Sequence, residues 1–157
     1  MLLPKLLKSQ STVRFQDCDP YGHLYNSKYI DYFMNAREDQ LLDNYNLDIY
    51  ALSTTEGIGW VVAQNQIAYL QPALLMEKVW ITSKIIDYST KMITVEFEMW
   101  NTDESQLKAF MWSRFVHFDL KTRRSASHAQ KFQEMFAQVH HPIDTQSFEE
   151  RVKRVRM

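Results

Sequence analysis

Four extended stretches follow one another with no helix between them, and that run limits what this chain can fold into more than any other feature. "GWVVAQNQIAYLQP" stops at Pro72 and "EKVWITSKIIDY" comes next. "KMITVEFEMW" alternates, with Ile93, Val95, Phe97 and Met99 opposite Thr94, Glu96 and Glu98. "QLKAFMWSRFVHFDL" is apolar on both sides, as a strand covered on two faces would be, and "NTDES" before it is a turn signal. Ahead of the run, Asn26 or Ser27 is placed to cap a helix reaching to about Tyr45, with Ile30, Phe33, Met34, Arg37 and Leu41 on one face. One helix followed by a run of strands indicates the α+β class. A lone helix cannot bury its stripe by itself, so an antiparallel sheet curled around one long helix is expected. "SHAQKFQEMFAQVHH" reads as a second, shorter helix. The expected division is an N-terminal segment over 1–11, one domain over 12–140, and a C-terminal tail or short helix over 141–157.

Composition narrows the function classes. The 157 residues fit one domain, and a formal charge of -1 gives no general electrostatic reason to expect a nucleic-acid or membrane partner. Cys18 is the single cysteine, which excludes an intramolecular disulfide and a cysteine-based zinc site. With only three glycines, Gly22, Gly57 and Gly59, the chain has neither a dinucleotide-binding fingerprint nor a phosphate loop. No apolar run approaches the ~20 residues that span a bilayer, and Pro4, Lys5 and Lys8 interrupt the apolar start. A cytoplasmic protein is expected.

The chemistry is concentrated in "FQDCDPYGHLYNS". Alternation from Thr12 to Asp19 predicts a strand with Val13, Phe15, Asp17 and Asp19 on one side and Cys18 on the other. A carboxylate ending a core-facing row is expected to be partly desolvated and therefore a better base than an exposed one. The start of a helix follows, and its free N–H groups can hold the oxygen of a carbonyl that is becoming an oxyanion. A carboxylate facing such a helix start suits acyl transfer, either activating water or attacking the carbonyl itself. Blander roles compete: Asp before a turn often bonds nearby N–H groups, His23 can be a packed loop residue, and Asn26 a plain cap. Asp17, Asp19 and His23 as metal ligands, or Cys18 with His23 as nucleophile and base, are two further alternatives.

The stretch "VRFQDCDPYGHLYNSKYIDYFMNARE", with "QIAYLQPA" and "FVHFDLKTRRSAS", resembles the hotdog-fold acyl-CoA thioesterases of the 4-hydroxybenzoyl-CoA thioesterase type, from about Thr12 to His128. The resemblance implies a hotdog fold and an acyl-CoA thioesterase that hydrolyses an acyl-CoA, or an acyl group on a carrier protein, to a free acid and a thiol. It implies Asp19 as base or nucleophile, Asn26 at the helix-start oxyanion site, His23 in support, and Gly22 and Tyr25 at the substrate, with Asp17 structural. It implies no metal or other cofactor, and a homodimer or homotetramer with sites between subunits. The sequence departs from the family where Met76-Glu77 replaces a Gly-Asp turn, and where Arg123-Arg124 stands at a usual glycine. The alternative is a non-catalytic hotdog module that binds acyl thioesters.

Overall fold

Alternating burial along the strands decides how the sheet is covered. The computed structural model describes residues 2–156. It contains β1 (Leu7–Thr12), α1 (Tyr29–Tyr45), α2 (Ile49–Thr55), β2 (Ile58–Tyr69), β3 (Lys78–Tyr88), β4 (Met92–Trp100), β5 (Leu107–Asp119), β6 (Arg124–Ser125), α3 (Gln130–Val139) and α4 (Phe148–Arg156). The main sheet runs β1-β3-β4-β5-β2, every pairing antiparallel, with β6 added to β5. It is a curled half-barrel holding α1, the hotdog arrangement. Among the described residues no helix is long and apolar enough to cross a membrane.

The first strand lies upstream of its expected place. β1 is Leu7–Thr12, so the N-terminal segment supplies an edge of the sheet. The expected strand over Thr12–Asp19 does not form: Val13 still pairs with the chain at Met76 and Glu77, but Phe15–Asp17 is a 3-10 turn and Phe15 is 78% exposed. There is therefore no core-facing row running from Val13 to Asp19. Period-two alternation in a short, turn-rich stretch is also compatible with a coil.

Strand β4 follows its pattern. Ile93, Val95, Phe97 and Met99 are buried in the main core with Phe33 of α1. On the other side Glu96 is buried as well, because α4 covers that face. Phe148 packs on Phe110 and Trp112, with ring centroids 4.9 and 5.5 Å away. Arg151 grips Glu96 through two bonds of 3.0 and 2.8 Å, and Trp112 donates to the same carboxylate at 2.8 Å. The charged C-terminal stretch is thus a docked helix.

Helix α1 buries Tyr29, Phe33, Ala36, Arg37 and Gln40, while Ile30, Met34 and Leu41 of the expected stripe are only half-buried. The rotation has a polar cause. Gln40 Nε2 donates to Ser9 Oγ and to the Ile81 carbonyl, at 2.8 and 2.9 Å, and Ser83 donates to Gln40 Oε1 at 2.6 Å. These bonds hold the helix on β1 and β3. Asn46, in left-handed conformation with φ 52°, ends α1.

At the far end of the sheet Trp60, His117, His128, Phe132 and Phe136 form a packed cluster. Trp60 donates its indole N–H to His128 Nε2 at 3.1 Å, which leaves the ring proton on Nδ1, facing the Ser89 carbonyl at 3.1 Å. Burial pushes both imidazoles below the ordinary histidine value, and for His128 the neighbouring His117 adds to it. The unfolded chain then takes up protons first, so stability is full above about pH 6.5 and is lost as pH falls below it. Thermal melts from pH 7.5 to 5 are expected to show a falling midpoint, and His128→Gln to flatten the slope.

The two departures from family glycines coincide with unusual backbone. Met76 has φ 66° and Arg123 φ 59°. A side chain in this region costs about 1–2 kcal/mol, partly offset by the greater entropy that glycine loses on folding. Met76→Gly is expected to raise stability by up to about 1 kcal/mol in urea unfolding.

Candidate active site

The loop between β1 and α1 is wound around one carboxylate. Asp19 Oδ1 accepts from the N–H groups of Tyr21 and His23, at 2.9 and 3.0 Å. The Asp19 N–H donates to the His23 carbonyl at 2.8 Å, and Gly22 N–H to the Asp19 carbonyl at 3.1 Å. The turn needs a left-handed residue, and Gly22 supplies it with φ 78°. One carboxylate oxygen is thus fixed by the main chain, and Oδ2 accepts no hydrogen bond among the described residues.

Asp17 has a different environment. Its Oδ2 accepts from the Tyr32 hydroxyl at 2.6 Å, and that hydroxyl also accepts from the Arg14 N–H at 3.0 Å. With Tyr25 N–H on the Asp17 carbonyl at 3.0 Å, this residue ties the loop to α1. Burial, and after it the hydroxyl proton committed to Asp17, push the Tyr32 phenol up to about 12.

Asn26–Lys28 forms a 3-10 turn that leads directly into α1 at Tyr29. Asn26 is exposed and its side chain caps nothing, so the expected side-chain cap is absent; the helix instead tightens into its start. Opposite stands the segment leaving β2. The Tyr69 hydroxyl donates to the Asn26 carbonyl at 3.0 Å, and the Tyr69 ring meets Tyr29 edge-on at 5.1 Å. The Tyr29 hydroxyl accepts from the Ala73 N–H at 3.1 Å, and Lys108 Nζ donates to the Pro72 carbonyl at 3.0 Å. Lys108 is buried and also meets Glu77 at 3.4 Å.

Between these walls lies an open cleft of about 460 Å³, lined by Asp19, His23, Tyr25, Asn26, Tyr69 and Gln71 among others. Four of the five residues expected at the site therefore share one cleft. Gly22 stands outside the lining, against Leu75. Tyr29, Tyr69 and Lys108 were not singled out as site residues. For Tyr69 the signal was available in "QIAYLQPA", where it stands three residues before Pro72. Buried Lys108 had no local signal.

Neither rival constellation assembles. Among the described residues no three His, Cys, Asp or Glu side chains converge as metal ligands. The Cys18 thiol faces the Arg14 carbonyl at 3.4 Å, and burial, then Asp19 and Asp17, push its pKa up.

The family comparison decides the class. Residues 13–138 match the model of the thioesterase-like superfamily. The chain belongs to that superfamily. This thioesterase is 30% identical over 119 residues, 76% of its own length and 88% of the relative's, to the long-chain acyl-CoA thioesterase FadM of Escherichia coli K12. Its fold is similar to that of a 1,4-dihydroxy-2-naphthoyl-CoA thioesterase from Synechocystis, with TM-score 0.76, 19% identity, and coverage of 87% of this chain and 99% of that one. It is also similar to a Staphylococcus aureus protein characterised structurally in complex with CoA, with TM-score 0.80, 17% identity, and coverage of 95% of this chain and 94% of that one. Because the Cys18 thiol faces the Arg14 carbonyl and stands outside the cleft lining, hydrolysis is expected to proceed without it. Cys18→Ser should keep hydrolysis within about twofold of the parent, and iodoacetamide should label Cys18 slowly at pH 7, because little thiolate is present.

Proposed function

We propose that the protein hydrolyses an acyl-CoA to a free acid and CoA, with Asp19 as the general base. The observation that carries this reading is the asymmetric clasp on Asp19. Oδ1 is held by two main-chain N–H groups and Oδ2 is left for a water molecule at the cleft. A carboxylate so held keeps its orientation without support from another side chain.

In the proposed reaction Asp19 takes a proton from water as its oxygen bonds to the thioester carbon. The carbonyl oxygen gathers negative charge facing the N–H groups at the Asn26 helix start, where fixed dipoles favour it. When the C–S bond breaks, the electron pair leaves with sulfur and the proton on Asp19 is passed to the thiolate. His23, whose imidazole has no hydrogen-bond partner among the described residues, orients the water, and Tyr25 flanks the bound acyl group. Tyr69 and Lys108 keep the opposite wall at a set distance. The E. coli relative, by its name, acts on long-chain acyl-CoA, which supports CoA as the carrier. A carrier-protein thioester presents the same reacting group.

A homodimer completes this picture. Among the described residues the outer edge of β2 has no strand partner, and residues 61–65 along it are exposed. Its last residue, Tyr69, borders the cleft, so a second copy added along this edge would close the open side.

Asp19→Asn should lower hydrolysis by about 10²–10⁴-fold, read as free thiol released from a series of acyl-CoA chain lengths, with the fold retained by circular dichroism. Unchanged hydrolysis in the folded variant removes Asp19 from the reaction. A faster rate on acyl-carrier protein than on any acyl-CoA reassigns the carrier.

A further inference from the structure

A second, smaller cavity of about 190 Å³ lies under the C-terminal half of α1, and its walls are mostly apolar, including Met34, Trp60, Ile93, Phe115 and Met135. Arg37 also lines it, although that side chain is only 7% exposed. The guanidinium makes one hydrogen bond among the described residues, from Nη1 to Ser83 Oγ at 2.9 Å. Because Ser83 spends its own proton on Gln40, the hydroxyl serves Arg37 as a neutral acceptor and not as a counter-charge.

No carboxylate pairs with Arg37 among the described residues. Glu38 reaches the same lining without forming an ion pair with it. Tyr45, the other polar neighbour, commits its hydroxyl to the Pro4 carbonyl at 2.6 Å. Burial lowers Arg37 to about 10, which still leaves a cation at neutral pH. A cation taken out of water with no anion beside it is costly, and its planar fork matches a carboxylate. The complement of such a cavity is an anion with an apolar body.

Size and position narrow the occupant. A dry cavity of about 150 Å³ accepts benzene, so this one suits a ring or a chain of about six to eight carbons. It is also separate from the cleft. Tyr29, Phe33 and Arg37 fall at four-residue intervals on one face of α1; Tyr29 borders the cleft, and Phe33 is fully buried against Phe97 at 5.4 Å. Eight helical residues put Arg37 about 12 Å beyond Tyr29.

We propose that this cavity is a second ligand site, which binds a monocarboxylate with a compact apolar body and pairs its carboxylate with Arg37. Acids of this kind are what thioester hydrolysis releases. That link rests on the proposed function; the binding itself does not.

Sodium octanoate tests it, titrated into protein carrying 13C-methyl methionine, with octan-1-ol as the uncharged control. Octanoate should shift the Met34 and Met135 methyl signals and saturate them. Arg37→Gln, which can still bond Ser83, should weaken octanoate by about tenfold or more and leave octan-1-ol unchanged. Leu47 lines the same cavity, so Leu47→Trp, which fills it with Arg37 in place, should abolish both responses. Asp19→Asn should keep the octanoate response whether or not hydrolysis is lost. The proposal is overturned if Met34 and Met135 do not respond, if folded Arg37→Gln binds octanoate as before, or if Asp19→Asn abolishes binding. Should Arg37→Gln fail to fold, persistence of octanoate binding in Leu47→Trp overturns it equally.

Discussion

The placement of α1 on the sheet rests on a short chain of polar contacts, and both cavities depend on it. Gln40 reaches Ser9 on β1 and the Ile81 carbonyl on β3, and Ser83 closes the set between Gln40 and Arg37. Apolar packing alone lets a helix slide or rotate by a fraction of a turn at little cost, because dispersion contacts are non-directional. Hydrogen bonds made in a low-dielectric interior are lost if the helix moves, and the groups left unpaired are expensive. The polar set therefore fixes the rotation of α1, and with it which residues meet the sheet.

With α1 held, its first turn has one place to go, and the loop before it is tied down at several points. Tyr32 holds Asp17, the main chain of Tyr21 and His23 holds Asp19, Leu24 N–H donates to the Ala73 carbonyl, and His23 pairs with Leu74. The opposite wall is anchored from β5 by Lys108 and from α1 by Tyr29. The cleft is thus built from loops, but each loop is pinned to a rigid element, the condition under which a reacting group can keep its geometry. Two turns further along the helix, at its midpoint, the same rotation turns Arg37 inward.

Much of this was visible in the residues. The four consecutive strands, the helix ending at Tyr45 and the inward row of β4 follow from periodicity, since a half-buried strand repeats every two residues. Asp19, His23, Tyr25 and Asn26 were close enough in the chain to be read as one locus. The failures have a common form. Phe15 was placed in a core-facing row, yet the chain turns at Phe15–Asp17 and exposes it, because alternation over a few residues does not distinguish strand from coil. Arg37 was placed on one face with Ile30, Phe33, Met34 and Leu41, while Gln40, buried beside it, went unmarked.

Sequence alone determined the class of fold, the location of the acidic loop at the mouth of the helix, and the exclusion of an intramolecular disulfide and of a glycine-rich dinucleotide fingerprint, because these depend on residue type and local spacing. Tertiary structure decided which carboxylate is held by the main chain, that Tyr69 and Lys108 shape the opposite wall, that the charged C-terminal stretch docks through Glu96, and that Arg37 is buried without an anion. Each of these depends on contacts between residues far apart in the chain, whose pairing no local pattern encodes.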